Sequence, residues 1–88
     1  MKFEMTGGRA GLIKFEYGEL KGQLDWEGLV RDSAIVIFSD GCKTHGQFSR
    51  LLSREELLSI SQAFCDEKKW QIEVQFENGI EVLKPRNS

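Results

Sequence analysis

Leu12-Ile13-Lys14-Phe15-Glu16-Tyr17-Gly18-Glu19-Leu20-Lys21-Gly22-Gln23-Leu24-Asp25-Trp26 alternates apolar and polar residues on both sides of Gly18-Glu19. A period of two is the mark of a strand with one buried face. A two-residue connection with glycine first suits a type II′ turn, whose twist matches that of the strands it joins. Such a turn sets Tyr17 opposite Leu20, Phe15 opposite Gly22 and Ile13 opposite Leu24. Turn chemistry and hydrophobic pattern then agree, because every apolar residue falls on the same face. Gly22 leaves room for the Phe15 ring to cover the backbone beside it.

Upstream, Lys2–Met5 reads as a strand with Phe3 and Met5 on one face. It reaches the hairpin through Thr6-Gly7-Gly8-Arg9-Ala10-Gly11, a flexible connection. That stretch lacks the Gly-Lys-Ser/Thr ending of a phosphate loop and runs into a strand rather than a helix. Downstream, Ser33–Ser39 is a continuous apolar, β-branched run of strand length and is expected to be the most buried strand. Asp40-Gly41 is expected to end it. Cys42–Leu52 is ambiguous between a loop and a short strand near Gln47–Leu51.

Ser53-Arg54-Glu55-Glu56 has the spacing of a capping box. Leu57, Leu58, Ile60, Phe64 and Cys65 follow at helical spacing. Glu55 and Glu56 stand at the positive end of the dipole and Lys68 and Lys69 at the negative end. The helix is placed at Arg54–Lys68. Trp70–Phe76 alternates again, and Ile80–Leu83 closes the chain's ordered part. A two-residue Asn78-Gly79 loop would scramble the faces. A three-residue loop with Gly79 in the left-handed conformation puts Phe76 opposite Ile80 and Val74 opposite Val82, and is preferred on that ground. Pro85-Arg86-Asn87-Ser88 is expected to be a frayed tail. The sum is one α+β domain: a mainly antiparallel sheet of about six strands with one helix packed on a face.

The 88 residues are 40% apolar and 30% charged, which suits a folded chain and not a disordered one. No apolar run approaches the roughly 18 residues of a membrane span. Met1-Lys2-Phe3-Glu4-Met5 alternates like a strand and carries no signal-peptide core. The expectation is a cytoplasmic protein that does not engage a membrane. Cys42 and Cys65 fit that compartment as free thiols. The net charge is −2, and the basic residues are scattered, which argues against nucleic acid as the direct partner.

Chemistry-bearing patterns are weak. Cys42-Lys43-Thr44-His45, with Asp40 before it, offers zinc-ligand types but lacks a second ligand pair. The same residues as a nucleophile and base would need a third orienting group and an oxyanion hole. Glu55-Glu56 and Asp66-Glu67 read as a helix cap and a solvated face rather than as paired catalytic acids. Neither a catalytic residue, a cofactor site nor a metal site is assigned. In Trp26-Glu27-Gly28-Leu29-Val30-Arg31-Asp32, Trp26 ends the strand Leu20–Trp26 and Leu29 and Val30 fall in an expected loop among the acids Asp25, Glu27 and Asp32, and the stretch has two readings. Trp26, Leu29 and Val30 plug the end of the sheet, or Trp26 is an aromatic anchor ringed by acids, the composition of a protein-binding hot spot. Phe48 carries the same two readings.

The order of pieces resembles a family of small bacterial immunity proteins, the antidotes of contact-dependent inhibition and related polymorphic toxin systems. The likeness rests on the Gly-rich opening, the strand Leu12–Tyr17 closed by Gly18-Glu19, Ile35-Val36-Ile37-Phe38-Ser39-Asp40, Ser53-Arg54-Glu55-Glu56-Leu57-Leu58 and Gln71-Ile72-Glu73-Val74-Gln75-Phe76. It covers roughly residues 7–77. The strand Ile80–Leu83 and the Cys42–His45 segment depart from it. The resemblance implies a cognate toxin as partner, very often a nuclease such as an RNase, blocked at its active site or substrate groove. An acidic binder gains on-rate and specificity against a basic groove. The partner-binding residues expected on this reading are Trp26, Glu27, Asp32, Asp40, His45 and Phe48. The rivals are another small protein-binding inhibitor or adaptor, for example one encoded by a phage, and a small enzyme using Cys42 and His45.

Overall fold

The hairpin quoted above forms with the register its pattern demands. In a computed structural model that describes residues 1–30 and 32–86, the side chains of residues 29 and 30 excepted, β2 (Ala10–Tyr17) pairs antiparallel with β3 (Leu20–Val30). Tyr17 faces Leu20, Phe15 faces Gly22 and Ile13 faces Leu24. Gly18 has φ +62°, as the first position of a II′ turn requires. A Cβ on Gly22 would lie 2.9 Å from Phe15 Cζ and 2.1 Å from the Lys43 carbonyl oxygen. Only glycine fits between that ring and the backbone of the next strand.

β1 (Lys2–Met5) adds to one side of the hairpin and β4 (Ser33–Thr44) to the other, both antiparallel. Helix α1 (Arg54–Lys68) then crosses over, and β5 (Ile72–Phe76) lies parallel to β4. β6 (Gly79–Leu83) folds back on β5. The sheet order follows the chain order from β1 to β6. A parallel neighbour needs a crossover long enough to return the chain, and α1 is that crossover. The helix buries Leu57, Ile60, Phe64 and Cys65 against Ile13, Phe15, Leu24, Ile35, Ile37, Ile72 and Val74 from one face of the sheet. No helix among the described residues is long and apolar enough to cross a membrane.

The capping box is present in full. The Glu56 N–H donates to Ser53 Oγ at 3.1 Å, and the Ser53 N–H donates to Glu56 Oε1 at 2.9 Å. Arg50 adds a bidentate bond to the Glu56 carboxylate at 2.7 and 2.8 Å. Hydrogen bonds from Arg50 first, then from the Ser53 backbone, hold the Glu56 carboxyl down at about 2. Asp66 is held at about 2 by the Arg86 guanidinium, then by the Arg86 N–H and by Gln62. Both folded-state values lie below those of the unfolded chain, so their contribution is complete above about pH 4.5 and fades as the pH falls toward 2. Thermal melts followed by circular dichroism between pH 6 and pH 2.5 are expected to show the midpoint falling through that window. The double variant Glu56→Gln/Asp66→Asn should flatten the fall. Ser53→Ala is expected to cost about 1 kcal/mol at neutral pH.

Five expectations from the sequence need correction. The strand expected to end at Trp26 runs on, so that what was expected as loop is strand as far as Val30, which pairs with Ser33. Gly28 makes this possible, since a Cβ there would sit 3.3 Å from Trp26 Cζ3, and its N–H donates to the Arg9 carbonyl. Second, Asp40-Gly41 does not end β4, which continues to Thr44 through a bulge. In place of a strand near 47–51 there is a single bridge between Lys43 and Leu51. Third, β5 starts at Ile72, because Lys69 caps the helix in the left-handed conformation and Trp70 turns back onto Phe64. Fourth, the last hairpin closes over Glu77-Asn78, with Phe76 opposite Gly79, Val74 opposite Glu81 and Ile72 opposite Leu83. Gly79 is an ordinary strand residue without positive φ. Leu83 takes the place over the core, and Ile80 and Val82 turn to the face away from the helix. Fifth, the tail expected to fray from Pro85 is tied down at Arg86, whose backbone N–H donates to Asp66 Oδ1 at 2.9 Å and whose guanidinium donates to Asp66 Oδ2 at 2.7 and 3.0 Å. The expected sheet-end plug by Leu29 and Val30 and the rest of that tail, Asn87-Ser88, lie outside the described side chains and residues.

Candidate functional site

The parallel pairing of β4 with β5 is short. It runs from Ile35 opposite Ile72 to Phe38 opposite Gln75 and stops. Beyond Phe38, β4 bulges away. Against β3 it advances five residues, from Phe38 to Lys43, while β3 advances two, from Asp25 to Gln23. An excess of three residues is odd, so the alternation of faces inverts. Ile35 and Ile37 point into the core before the bulge, and Cys42 and Thr44 do so after it. Gly41 lies against Asp25, where a Cβ would come within 2.5 Å of the carboxylate.

While β4 bends off, β5 continues and turns back over Glu77-Asn78. An open groove of about 1070 Å³ lies between the bulge, the chain just before α1, and the tip of the β5–β6 hairpin. Phe38, Leu51, Leu52, Phe76 and Ile80 give it an apolar lining. Asp40, Arg54, Glu77 and Glu81 supply its charges. Arg54 Nη2 lies 2.6 Å from Glu81 Oε1, and its guanidinium carbon stands 4.2 Å above the Phe76 ring. That couple is balanced. Asp40 and Glu77 have no ion-pair partner among the described residues, so the groove is acidic.

Apolar surface surrounds it. Leu51 is 58% exposed, Ile80 47% and Val82 51%. Phe48, on the connection that leads to Leu51, is 85% exposed. A ring this bare is held out by the short path between Thr44 and Arg50, which the Ser49 hydroxyl closes by donating to the Thr44 carbonyl at 2.6 Å.

Of the six residues singled out from the sequence, Asp40 lines the groove and Phe48 stands on the segment that builds one wall. His45 is exposed on the same connection, its Nε2 2.8 Å from Gln23 Oε1 and its N–H on the Lys21 carbonyl. Glu27 is exposed on β3 opposite Val36, and Asp32 is exposed at the far end of β4 from His45. These residues do not share one patch. Trp26 is corrected outright as a surface anchor: it is 4% exposed, and its Nε1–H donates to the Thr6 carbonyl at 3.0 Å. It plugs the sheet because β3 carries its side chain to the helix side. Leu51, Ile80, Val82 and Glu77 escaped notice. Ile80 and Val82 were assigned to the core by the wrong hairpin register, and Leu51 had no periodic context.

Cys42 and His45 are not brought together for chemistry. Cys42 is fully buried and its Sγ donates to the Phe38 carbonyl at 3.2 Å, while His45 is on the surface. Burial pushes the Cys42 thiol up to about 12, and burial also raises Cys65. Both cysteines are free and buried. A thiol held protonated is a poor nucleophile. The folded chain is expected to leave a disulfide reagent such as dithionitrobenzoate unreacted at pH 7.5, and both thiols to react at once in denaturant. Rapid reaction of Cys42 in the folded chain would restore the thiol-enzyme reading. Among the described residues no group of three metal-ligating side chains comes together.

Comparison of the chain with family models, with curated proteins and with solved structures found no match.

Proposed function

We propose that this chain is an immunity protein that acts in the cytoplasm by binding a cognate toxin's nuclease domain and covering its active site or substrate groove. The observation that carries this reading is the pairing of an acidic groove with exposed apolar side chains. Leu51, Ile80 and Val82 supply area that gains free energy when water is excluded. Asp40 and Glu77, which have no ion-pair partner among the described residues, supply negative charge beside it. An apolar centre with a charged margin is the anatomy of a protein interface. A nuclease groove is basic because it must hold a phosphate backbone, so an acidic margin meets it with the right sign. A standard interface takes roughly 800 Å² from each partner, which this sheet end can provide without a deep pocket.

The test is inhibition. The purified chain, mixed at equimolar ratio with the nuclease toxin domain encoded beside its gene, is expected to form a 1:1 complex and to abolish RNA or DNA cleavage. Co-expression should restore growth to cells producing that toxin. Cleavage that persists under a tenfold excess of the chain rejects the reading.

A further inference from the structure

Asparagine stands before glycine once in this chain, at Asn78-Gly79. The pair lies at the tip of the β5–β6 hairpin, where Phe76 and Gly79 close a two-residue turn. Both residues are exposed, and both line the groove. The Asn78 side chain makes no hydrogen bond to another described residue. No residue of the turn has positive φ, and a Cβ built on Gly79 would meet nothing within 4 Å. The backbone nitrogen that follows Asn78 is therefore open to approach by the Asn78 side chain, with no side chain of its own residue in the way.

We propose that Asn78 deamidates spontaneously in the folded chain, so that the lip of the groove gains a carboxylate. Both reacting groups belong to the chain. The Gly79 nitrogen, its proton lost to solvent, attacks Asn78 Cγ. An N–C bond forms and closes a five-membered succinimide. The Cγ–Nδ2 bond breaks, and that nitrogen takes up a proton and leaves as ammonia. Water then opens the ring. Opening at Cγ gives aspartate; opening at the main-chain carbonyl carbon of residue 78 gives isoaspartate, with the main chain rerouted through the side chain. The sum is amide plus water going to acid plus ammonia, and nothing is oxidised or reduced.

The structure picks this bond over its nearest rival. Asp40-Gly41 is the other place where the same ring could close, and Asp40 also borders the groove. Gly41, however, is held inside β4 with the Asp25 carboxylate against it, where a Cβ would come within 2.5 Å. Ring closure needs the backbone to swing, and that packing opposes it. At Asn78 the restraint is the last rung of the hairpin, between Phe76 and Gly79, and rungs at an end open most easily. One net hydrogen bond is a slowing of about tenfold at most. The new carboxylate would stand next to Glu77 and in the same groove as Asp40, while Arg54 is already engaged by Glu81. This chemistry is independent of the function proposed above; where a basic surface docks, the deamidated chain meets it with a stronger field.

The full chain is incubated at 37 °C and pH 7.5, folded and in guanidinium chloride, and the peptide that carries Asn78 is followed by mass spectrometry for exchange of amide for acid. The folded chain is expected to convert within about tenfold of the denatured rate, giving separable aspartate and isoaspartate peptides. An acidic species should grow on anion exchange in step with them. Gly79→Ala meets open space and an ordinary φ, so its melting midpoint should be that of the parent. It should convert at least about tenfold more slowly, because the added Cβ crowds the closing ring. A folded rate lower than one-tenth of the denatured one overturns the proposal, since the turn then protects its own amide. Equal rates in the parent and in Gly79→Ala overturn it as well, since the Gly79 nitrogen is then not the attacking group. Should Gly79→Ala fail to fold, the folded and denatured rates of the unmodified chain decide the matter.

Discussion

Phe64→Ala is expected to destabilise the fold by about 3–5 kcal/mol, the usual cost of removing a fully buried aromatic ring. Phe64 is completely buried and meets Phe3 edge-on at 5.3 Å between ring centres and Trp70 at 6.1 Å. It therefore fastens α1 to the first strand of the sheet and to the segment that leads into β5. Edge-to-face pairs contribute beyond the area they bury. The surroundings cannot close over the space left behind. Phe3 is anchored by its pairing with Phe15 across β1 and β2, and Trp70 by the αL cap at Lys69. A chain of this length commands only about 4–13 kcal/mol in total, so the variant should sit near its folding threshold. Urea unfolding read by tryptophan fluorescence is the measurement. The midpoint should fall by at least 1–2 M given a slope of about 1–2 kcal/mol/M for a domain this small. Phe64→Leu, which keeps most of the volume, should lose less than half as much. A midpoint within 0.3 M of the parent, roughly the scatter of such an extrapolation, would mean that the helix is not seated on this ring.

What the sequence made legible was local. The II′ turn at Gly18-Glu19, the Gly22 gap under Phe15 and the Ser53–Glu56 box each depend on residues within a few positions of one another. Local chemistry and hydrophobic pattern pointed the same way in all three, which is why they could be read. The groove was not legible, because it is an absence of pairing. It exists where β4 leaves β5 after Phe38, and that departure follows from a bulge of three residues whose register is set by β3. Nothing in Ser39-Asp40-Gly41-Cys42 taken alone tells a strand end from a bulge. The last hairpin failed for a related reason. Ile80-Glu81-Val82-Leu83 holds apolar residues in both phases, so alternation offers two answers. The sheet chose the phase that puts Leu83 over the core and Glu81 within reach of Arg54. Arg54 lies on the helix, far from β6 in the chain. Trp26 shows the converse error. Flanking acids made it look like a surface anchor, but Asp25 and Glu27 are its neighbours in the strand and point the other way.

On the proposed function, reversing the charge of the groove should weaken the complex with the toxin more than reversing charge elsewhere on the surface. Asp40→Lys with Glu77→Lys places two cations where a basic nuclease surface is proposed to dock. Like-charge juxtaposition at an interface costs several kcal/mol, so the double variant is expected to lose at least about 100-fold in affinity. Much of this should appear in the association rate, since the field of the groove steers the encounter. For the parent chain, raising salt from 50 to 300 mM should slow association; for the variant it should not, or should speed it, because screening then removes repulsion. Folding is not at risk. Both residues are exposed and without an ion-pair partner among the described residues, so unfolding should shift by less than about 0.5 kcal/mol. Glu27→Lys with Asp32→Lys is the matched comparison. It changes net charge by the same amount, but on residues outside the groove, one beside Val36 and one at the far end of β4. A general effect of net charge would act equally through both pairs. Docking at the sheet end acts through Asp40 and Glu77 alone, and stopped-flow association at two salt concentrations separates the two cases. If the Glu27/Asp32 pair proves the more damaging, the toxin sits on the opposite end of the sheet, and the groove has another use.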